Sequence, residues 1–529
     1  MRTEPQAPDQ AAELDQAELS REWTSRLRRT LTGKLPPEKL LPDTQPAYVA
    51  SWIYVFGVLT LAALIVVAIS GAVLALEGPD WWHNSPEGHF VNSTHLWSVE
   101  LFFFFMVIHL WGKFFMAAWR GKRGLTWVTG VLAFLLSIGA AFTGYLSQQN
   151  LDSQWISTQA KDGMNSTGIG AYFNVLNFGQ MFMWHILLLP LLVIIFVAIH
   201  VLMVRYRGVV PPIGSVPRSE EKKPWRGRVR PYDIVKEASI AFVIVAILTL
   251  LFSVVFSSPD DPAATIKQWS QVDPVDFVQT AQSELAGASE SATYGPPYNN
   301  QSGFVQSLGP VSLQKLAGVH YPINSGQDFV LGPLETIKSG IPSLAGALYT
   351  YQHASVAQQA AWTAAFGKAD QHLTVTGDRL SYPRGNYGPV PTLLDNLLVM
   401  ARSGGLDNAL ESHQGFYGTD YTKPLLFLAD SGYFSSIGQK YHLLGTQWGM
   451  TNETGNYPGQ AWLWLYTFWY QIPPMSTSAN GDVMVMSIMA VLTLAFVIFP
   501  YIPGLRRIPE KIPVYKAIWR RYYEEEQAR

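Results

Sequence analysis

Four histidines set the chemistry open to this sequence. His95 and His109 are 14 positions apart, and His185 and His200 are 15 apart. Both pairs sit in or at the ends of apolar stretches long enough to cross a bilayer. An ionisable side chain there is costly and usually has a function or a dedicated partner. At about 100° per residue, either interval returns to roughly the same helix face, and at 1.5 Å rise it separates the rings by about 21–23 Å. Two co-directional helices of this kind present imidazoles at two matched depths. That arrangement suits two flat cofactors, one above the other. Bis-histidine ligation of haem iron leaves no open coordination site, which fits electron transfer. A divalent metal site fits less well, because each level offers two ligands rather than three or four. A single intramembrane histidine is most simply a hydrogen-bonding group between helices. Four at matched depths call for more.

Glycines repeat the interval. Gly57 and Gly71 are 14 apart, and so are Gly130 and Gly144. They fall in the two apolar stretches that lack the paired histidines. Glycine is common where membrane helices pack closely. Here the repeat points to space reserved for the face of a flat ring, with no side chain in the way.

These residues need membrane helices to position them. About 20 apolar residues cross the hydrocarbon layer, and six such runs are present: Tyr48–Leu76, Leu96–Trp119, Leu125–Leu146, Gln180–Val204, Ser239–Phe256 and Val483–Ile502. Basic clusters precede the first, fill the loops between second and third and between fourth and fifth, and follow the sixth. With six spans all four clusters share one side, which the positive-inside rule makes cytoplasmic. The second and fourth spans then both run inward, so His95 and His185 lie near the outer surface and His109 and His200 lie deeper. The expected fold class is an all-α membrane protein. A four-helix transmembrane di-haem bundle is joined by two further transmembrane helices, which flank a large, mostly helical extracytoplasmic domain. The divisions are a cytoplasmic segment 1–45, the bundle 46–213, the cytoplasmic loop and fifth helix 214–257, the outer domain 258–482, and the sixth helix with a cytoplasmic tail 483–529. Residues 1–45 are polar and charged, unlike a cleaved leader.

Composition agrees. Hydrophobic residues make up 48% and charged residues 14%, against the roughly 25% charged usual for soluble domains. The chain has no cysteine, which excludes disulfides, cysteine-held iron–sulfur clusters and covalent c-type haem. His320, His353, His372, His413 and His442 lack ligand-like spacing and are expected in the core or on the surface, as are His83 and His89. Trp81-Trp82-His83 has a second reading, as a cover over the outer cofactor edge. Glu100, in the second span, is either solvated near the interface, paired in the bundle, or a proton carrier.

The stretch 45–213 resembles the N-terminal haem-binding half of the cytochrome b family. The likeness is greatest in Gly124–Tyr145 (GLTWVTGVLAFLLSIGAAFTGY) and His185–Pro212. It implies two non-covalent haem b groups, a low-potential one held by His95 with His185 and a high-potential one held by His109 with His200. The four glycines fall at family positions. Lys113 and Arg205 match basic residues that meet the inner haem propionates. Asn92 stands where the family has an arginine, three residues before the outer histidine. Arg230-Pro231-Tyr232-Asp233-Ile234 resembles the start of the family's C-terminal half, but Ile266-Lys267-Gln268-Trp269 replaces the Pro-Glu-Trp-Tyr motif whose glutamate accepts a quinol proton. That half is divergent.

The leading expectation is a cytochrome bc-like subunit carrying electrons across a bacterial-type plasma membrane, between quinone or quinol and a redox partner. The resemblance implies a homodimer and companion subunits, Rieske-type or c-type cytochrome. Membrane lipid surrounds the chain, and nothing suggests nucleic acid. The alternative is a haem-bearing anchor for a peripheral dehydrogenase or carrier docked on the outer domain, without a quinol-oxidation site. A haem-free transporter or receptor is the third reading.

Overall fold

The computed structural model describes residues 23–258, 260–412, 418–441, 443 and 464–528. His413 and His442 lie outside these, as do residues 1–22, Ala461–Leu463 and Arg529. Six helices are long and apolar enough to cross a membrane, and the protein is a multi-pass membrane protein. We number them α1 (Val55–Glu77), α2 (Pro86–Phe115), α3 (Gly124–Leu146), α4 (Phe178–Arg207), α5 (Ile234–Phe256) and α6 (Gly481–Ile498). Leu61, Ile65 and Ile69 on α1, like Ile194 and Ile195 on α4, are exposed apolar side chains, as lipid-facing positions require.

Local sequence sets the ends. Gly78 leaves α1 at φ 85°, a conformation that costs glycine little. Pro79 then starts the short helix Pro79–Asn84. Ser85 caps α2 by accepting from the Gly88 backbone N–H, with Pro86 in the first turn. Asp233 caps α5 by accepting from Lys236 N–H. At that end of the bundle, Thr44–Pro46 (β1) pairs antiparallel with Val229–Pro231 (β2), Thr44 opposite Pro231. The C-terminal tail folds back there, with Ile518 and Trp519 buried and Trp519 Nε1 donating to the Tyr54 hydroxyl at 3.2 Å.

Between α5 and α6 the chain forms a helical domain. Its central helix, Val390–Arg402, buries Leu393, Leu394, Leu397 and Leu398 completely. Each contributes about 1.5–3 kcal/mol of burial. Helices Ile266–Val272, Pro274–Leu285, Pro342–Gln352 and Val356–Ala369 pack around it. The same core takes in Leu151, Trp155, Ile156, Val175 and Leu176 from the α3–α4 connection. The domain therefore reaches beyond residues 258–482 and is built onto the end of the bundle that carries His95 and His185. A hairpin, Thr374–Thr376 with Arg379–Ser381, is its only strand pair among the described residues.

Glu284 is buried in this domain, where Ser289 Oγ donates to its Oε2 at 2.5 Å. Burial first, then neighbouring Asp430, push its carboxyl from 4.5 up to about 10. The folded chain keeps a proton that the unfolded chain loses, so stability falls as pH rises between those two values. Glu284→Gln removes that loss. The variant is expected to melt at higher temperature than the unmodified protein near about pH 8, with the gap closing near about pH 4, in circular-dichroism melts of detergent-solubilised protein.

Candidate functional site

The bundle is two helix pairs. α1 packs along α2, and α3 along α4; α5 lies against α1 and α2, and α6 against α3. Within each pair the histidines rest on the glycines. His95 and His109 of α2 meet Gly71 and Gly57 of α1, and His185 and His200 of α4 meet Gly144 and Gly130 of α3. A Cβ at Gly57, Gly71 or Gly130 would stand 2.9 Å from the ring Cε1, and one at Gly144 would come closer still. Each glycine thus leaves room for the imidazole edge of the helix packed against it. In those first three cases Nε2 is the far nitrogen, 3.9 Å from the same point.

Hydrogen bonds fix the rings. His185 Nδ1 donates to the Ala140 carbonyl at 2.8 Å, and His200 Nδ1 to the Thr126 carbonyl at 3.0 Å. His95 Nδ1 lies 3.0 Å from Ser70 Oγ. That hydroxyl donates its own proton to Val66 O at 2.8 Å, so it accepts from the ring. A proton on Nδ1 leaves Nε2 with a free lone pair, the tautomer that binds a metal. The His109 Nδ1 is buried without a hydrogen-bond partner among the described residues.

Across the pairs, the His95 and His185 ring centres are 6.1 Å apart, with planes at 87°. Two imidazoles on opposite sides of one metal, with metal–nitrogen distances of about 2 Å and about 1.1 Å from nitrogen to ring centre, span about 6.2 Å. The outer pair thus fits a bis-histidine iron. His109 and His200 form the second level, near enough to interact electrostatically, with Lys113 beside them. Lys113 Nζ lies over the Tyr54 ring, 4.1 Å from its centre. Arg205 meets the Tyr232 hydroxyl. Among the described residues no group of three or more His, Asp or Glu is placed to hold a metal.

The unequal histidine intervals have a local cause. Trp184–Leu188, which includes His185, is a π-helical turn inside α4. Fourteen steps of about 100° leave two rings about 40° apart, and fifteen leave them about 60° apart in the opposite sense. A π turn absorbs one residue, about 100° of rotation, and restores the first relation. Pro190 follows two residues later. Its missing N–H and its clash with the carbonyl four residues back favour a wider turn at this point.

Other functional positions are not where their residue types suggest. Arg120 and Arg123 look like exposed loop charges but are 9% and 5% exposed. Arg120 forms an ion pair with Glu221 and donates to Pro211 O at 2.6 Å. Arg123 donates to Gly208 O at 2.8 Å, Arg207 O at 3.0 Å and Glu221 O at 2.8 Å. Together they clamp the α2–α3 loop to the chain leaving α4. Ile266-Lys267-Gln268-Trp269 opens a helix of the added domain; Asp407 caps it through Ile266 N–H at 2.8 Å, and Trp269 is fully buried. His320 and His353 bond local carbonyls, Ala317 O and Tyr349 O. Glu100 Oε1 is buried without a hydrogen-bond partner among the described residues.

Comparison with known proteins finds similarity over part of the chain. Residues 100–263 match the family described as cytochrome b(N-terminal)/b6/petB. The chain is 26% identical over 202 residues to cytochrome b6 of Heliobacterium mobile, covering 33% of this chain and 93% of that one. It is 30% identical over 196 residues to the cytochrome bc complex cytochrome b subunit of Chlorobaculum thiosulfatiphilum, covering 32% and 44%. It is 26% identical over 187 residues to the menaquinol:cytochrome c reductase cytochrome b subunit of Bacillus subtilis, covering 31% and 84%. Each match leaves about two thirds of this chain outside it. Through this region the chain is similar to the N-terminal half of cytochrome b.

Proposed function

We propose that this chain is a di-haem b-type cytochrome that carries electrons across the membrane between quinone or quinol and a redox partner. The observation that carries the reading is the set of four imidazoles at two levels, the outer two 6.1 Å apart and perpendicular. The named relatives include a menaquinol:cytochrome c reductase subunit, which supports a quinol as substrate. His95 with His185, and His109 with His200, would hold the two haems, which when bound supply a pair of one-electron carriers. The protein's own part is to fix the imidazole tautomers of His95, His185 and His200, exclude water with apolar helices, and set the two levels apart along the membrane normal. Lys113 and Arg205 would offer positive charge to acidic groups of the inner haem. The basic clusters favour a cytoplasmic side for the His109/His200 end and β1–β2. The added domain then lies outside. A homodimer within a larger electron-transfer complex follows from the family.

One feature favours a second reading, an anchor serving a redox partner docked outside. Ile266-Lys267-Gln268-Trp269, the stretch nearest to where the quinol-acid motif is expected, contributes to the added domain's core, and its one charged residue is Lys267. Redox titration of the purified chain tests the first claim of either reading. Two b-type components per chain are expected; a reduced-minus-oxidised spectrum without a b-type band would refute both.

A further inference from the structure

His83 is the second feature at the outer end of the bundle that sequence spacing does not explain. It lies in the short helix Pro79–Asn84 between α1 and α2. Its Nδ1 is 2.5 Å from Asp260 Oδ2, just after α5. Its Nε2 is 2.7 Å from the backbone carbonyl of Gln148, just after α3. Both ring nitrogens therefore face oxygen acceptors. A neutral imidazole has one N–H and satisfies one of them; only the imidazolium satisfies both. The ring and the carboxylate are partly shielded, at 23% and 15% side-chain exposure, so a proton held there remains within reach of water.

Gln148, whose backbone carbonyl meets His83, reaches from this pair toward the helix that carries His95. The Gln148 side chain forms a reciprocal amide pair with Asn92, at 3.1 and 3.2 Å. Asn92 is 5% exposed and stands one helical turn before His95 on α2.

We propose that the His83–Asp260 pair is a proton-exchanging site at the outer end of the bundle, taking up one proton from water when the His95/His185 centre is reduced and returning it on reoxidation. The inference rests on the haem reading above. With haem held by His95 and His185, the electron would reside there while the proton joins a His83 ring nitrogen, and oxidation would return both. An added electron nearby favours the charged ring, and its removal favours the neutral one. Asp80 on the same short helix and Asp260 also favour the charged form. Glu77 closes α1; Glu87 and His89 lie in the first turns of α2, where His89 bonds Ser257 Oγ at 3.0 Å. Asp261 presents its backbone carbonyl to Leu151 N–H at 3.1 Å. Burial opposes protonation of His83, but the bond and charge of Asp260 and the Gln148 carbonyl outweigh it and raise its pKa above the usual histidine value. The pair thus stabilises the fold below the ordinary histidine range, and that contribution fades as pH rises through the raised value.

Redox titration of the whole protein at a series of pH values tests the proposal. The outer component is identified as the one removed by replacing His95. Its midpoint should fall with rising pH through the window just above the ordinary histidine range, by up to about 59 mV per tenfold change in proton concentration. In His83→Gln this dependence should vanish for the outer component and leave the inner one unchanged. Asp260→Asn keeps the side-chain shape and should move the dependence to lower pH, which a purely structural tether would not do. A pH-independent outer midpoint in the unmodified protein would overturn the inference while leaving the haem reading intact. So would a full dependence in His83→Gln, or an unmoved one in Asp260→Asn. Failure to find two components at all would instead remove the reading beneath it.

Discussion

Purified His95→Ala protein is expected to titrate as one b-type component where the unmodified chain gives two. Ring and lone pair are lost together, and His185 alone offers its level a single ligand. His109→Ala should remove the other component and spare the first, because each level is served by its own pair. The signal is large: half the haem per chain, read by pyridine haemochrome assay and by the missing wave in the titration. A chain that kept both components in either variant would contradict the assignment of ligands. The surviving wave also identifies which midpoint belongs to which end of the membrane.

Gly71→Val should reproduce the loss seen with His95→Ala without touching a ligand. Even the first carbon of a side chain at Gly71 would lie 2.9 Å from His95 Cε1, closer than real contacts allow. The ring would have to leave its bond to Ser70 or α1 would have to withdraw from α2. Either movement displaces Nε2 by more than a metal–nitrogen bond tolerates. Gly139 on α3 is the control. A Cβ there would meet Leu189 at 3.7 Å, an ordinary contact, so Gly139→Ala should keep both components. Equal behaviour of the two variants would mean that the glycine interval reflects helix packing alone.

The parts legible in the sequence are those governed by the bilayer. Charge segregation and run length mark six spans because lipid punishes any other arrangement. The histidines stand out because an ionisable group in a span needs a reason. What sequence conceals depends on distant partners. Arg120 and Arg123 share their composition and loop position with true surface charges; only Glu221, about a hundred residues on, takes them out of solvent. The His83–Asp260 contact joins residues 177 positions apart, with no spacing rule to announce it. The glycines repeat the histidine interval in the sequence, but which histidine each one meets depends on which helices pair. The added domain was visible as ordered and helical, yet its sharing of a core with residues 151–177 follows from packing alone.

The widened turn in α4 has a consequence for how this architecture tolerates change. One surplus residue at the His185 end of α4 is taken up within a single loop of backbone, as slack is taken up in a coil. Everything below Leu189 keeps its facing and depth. The outer end can therefore gain or lose a residue while His200 stays in place.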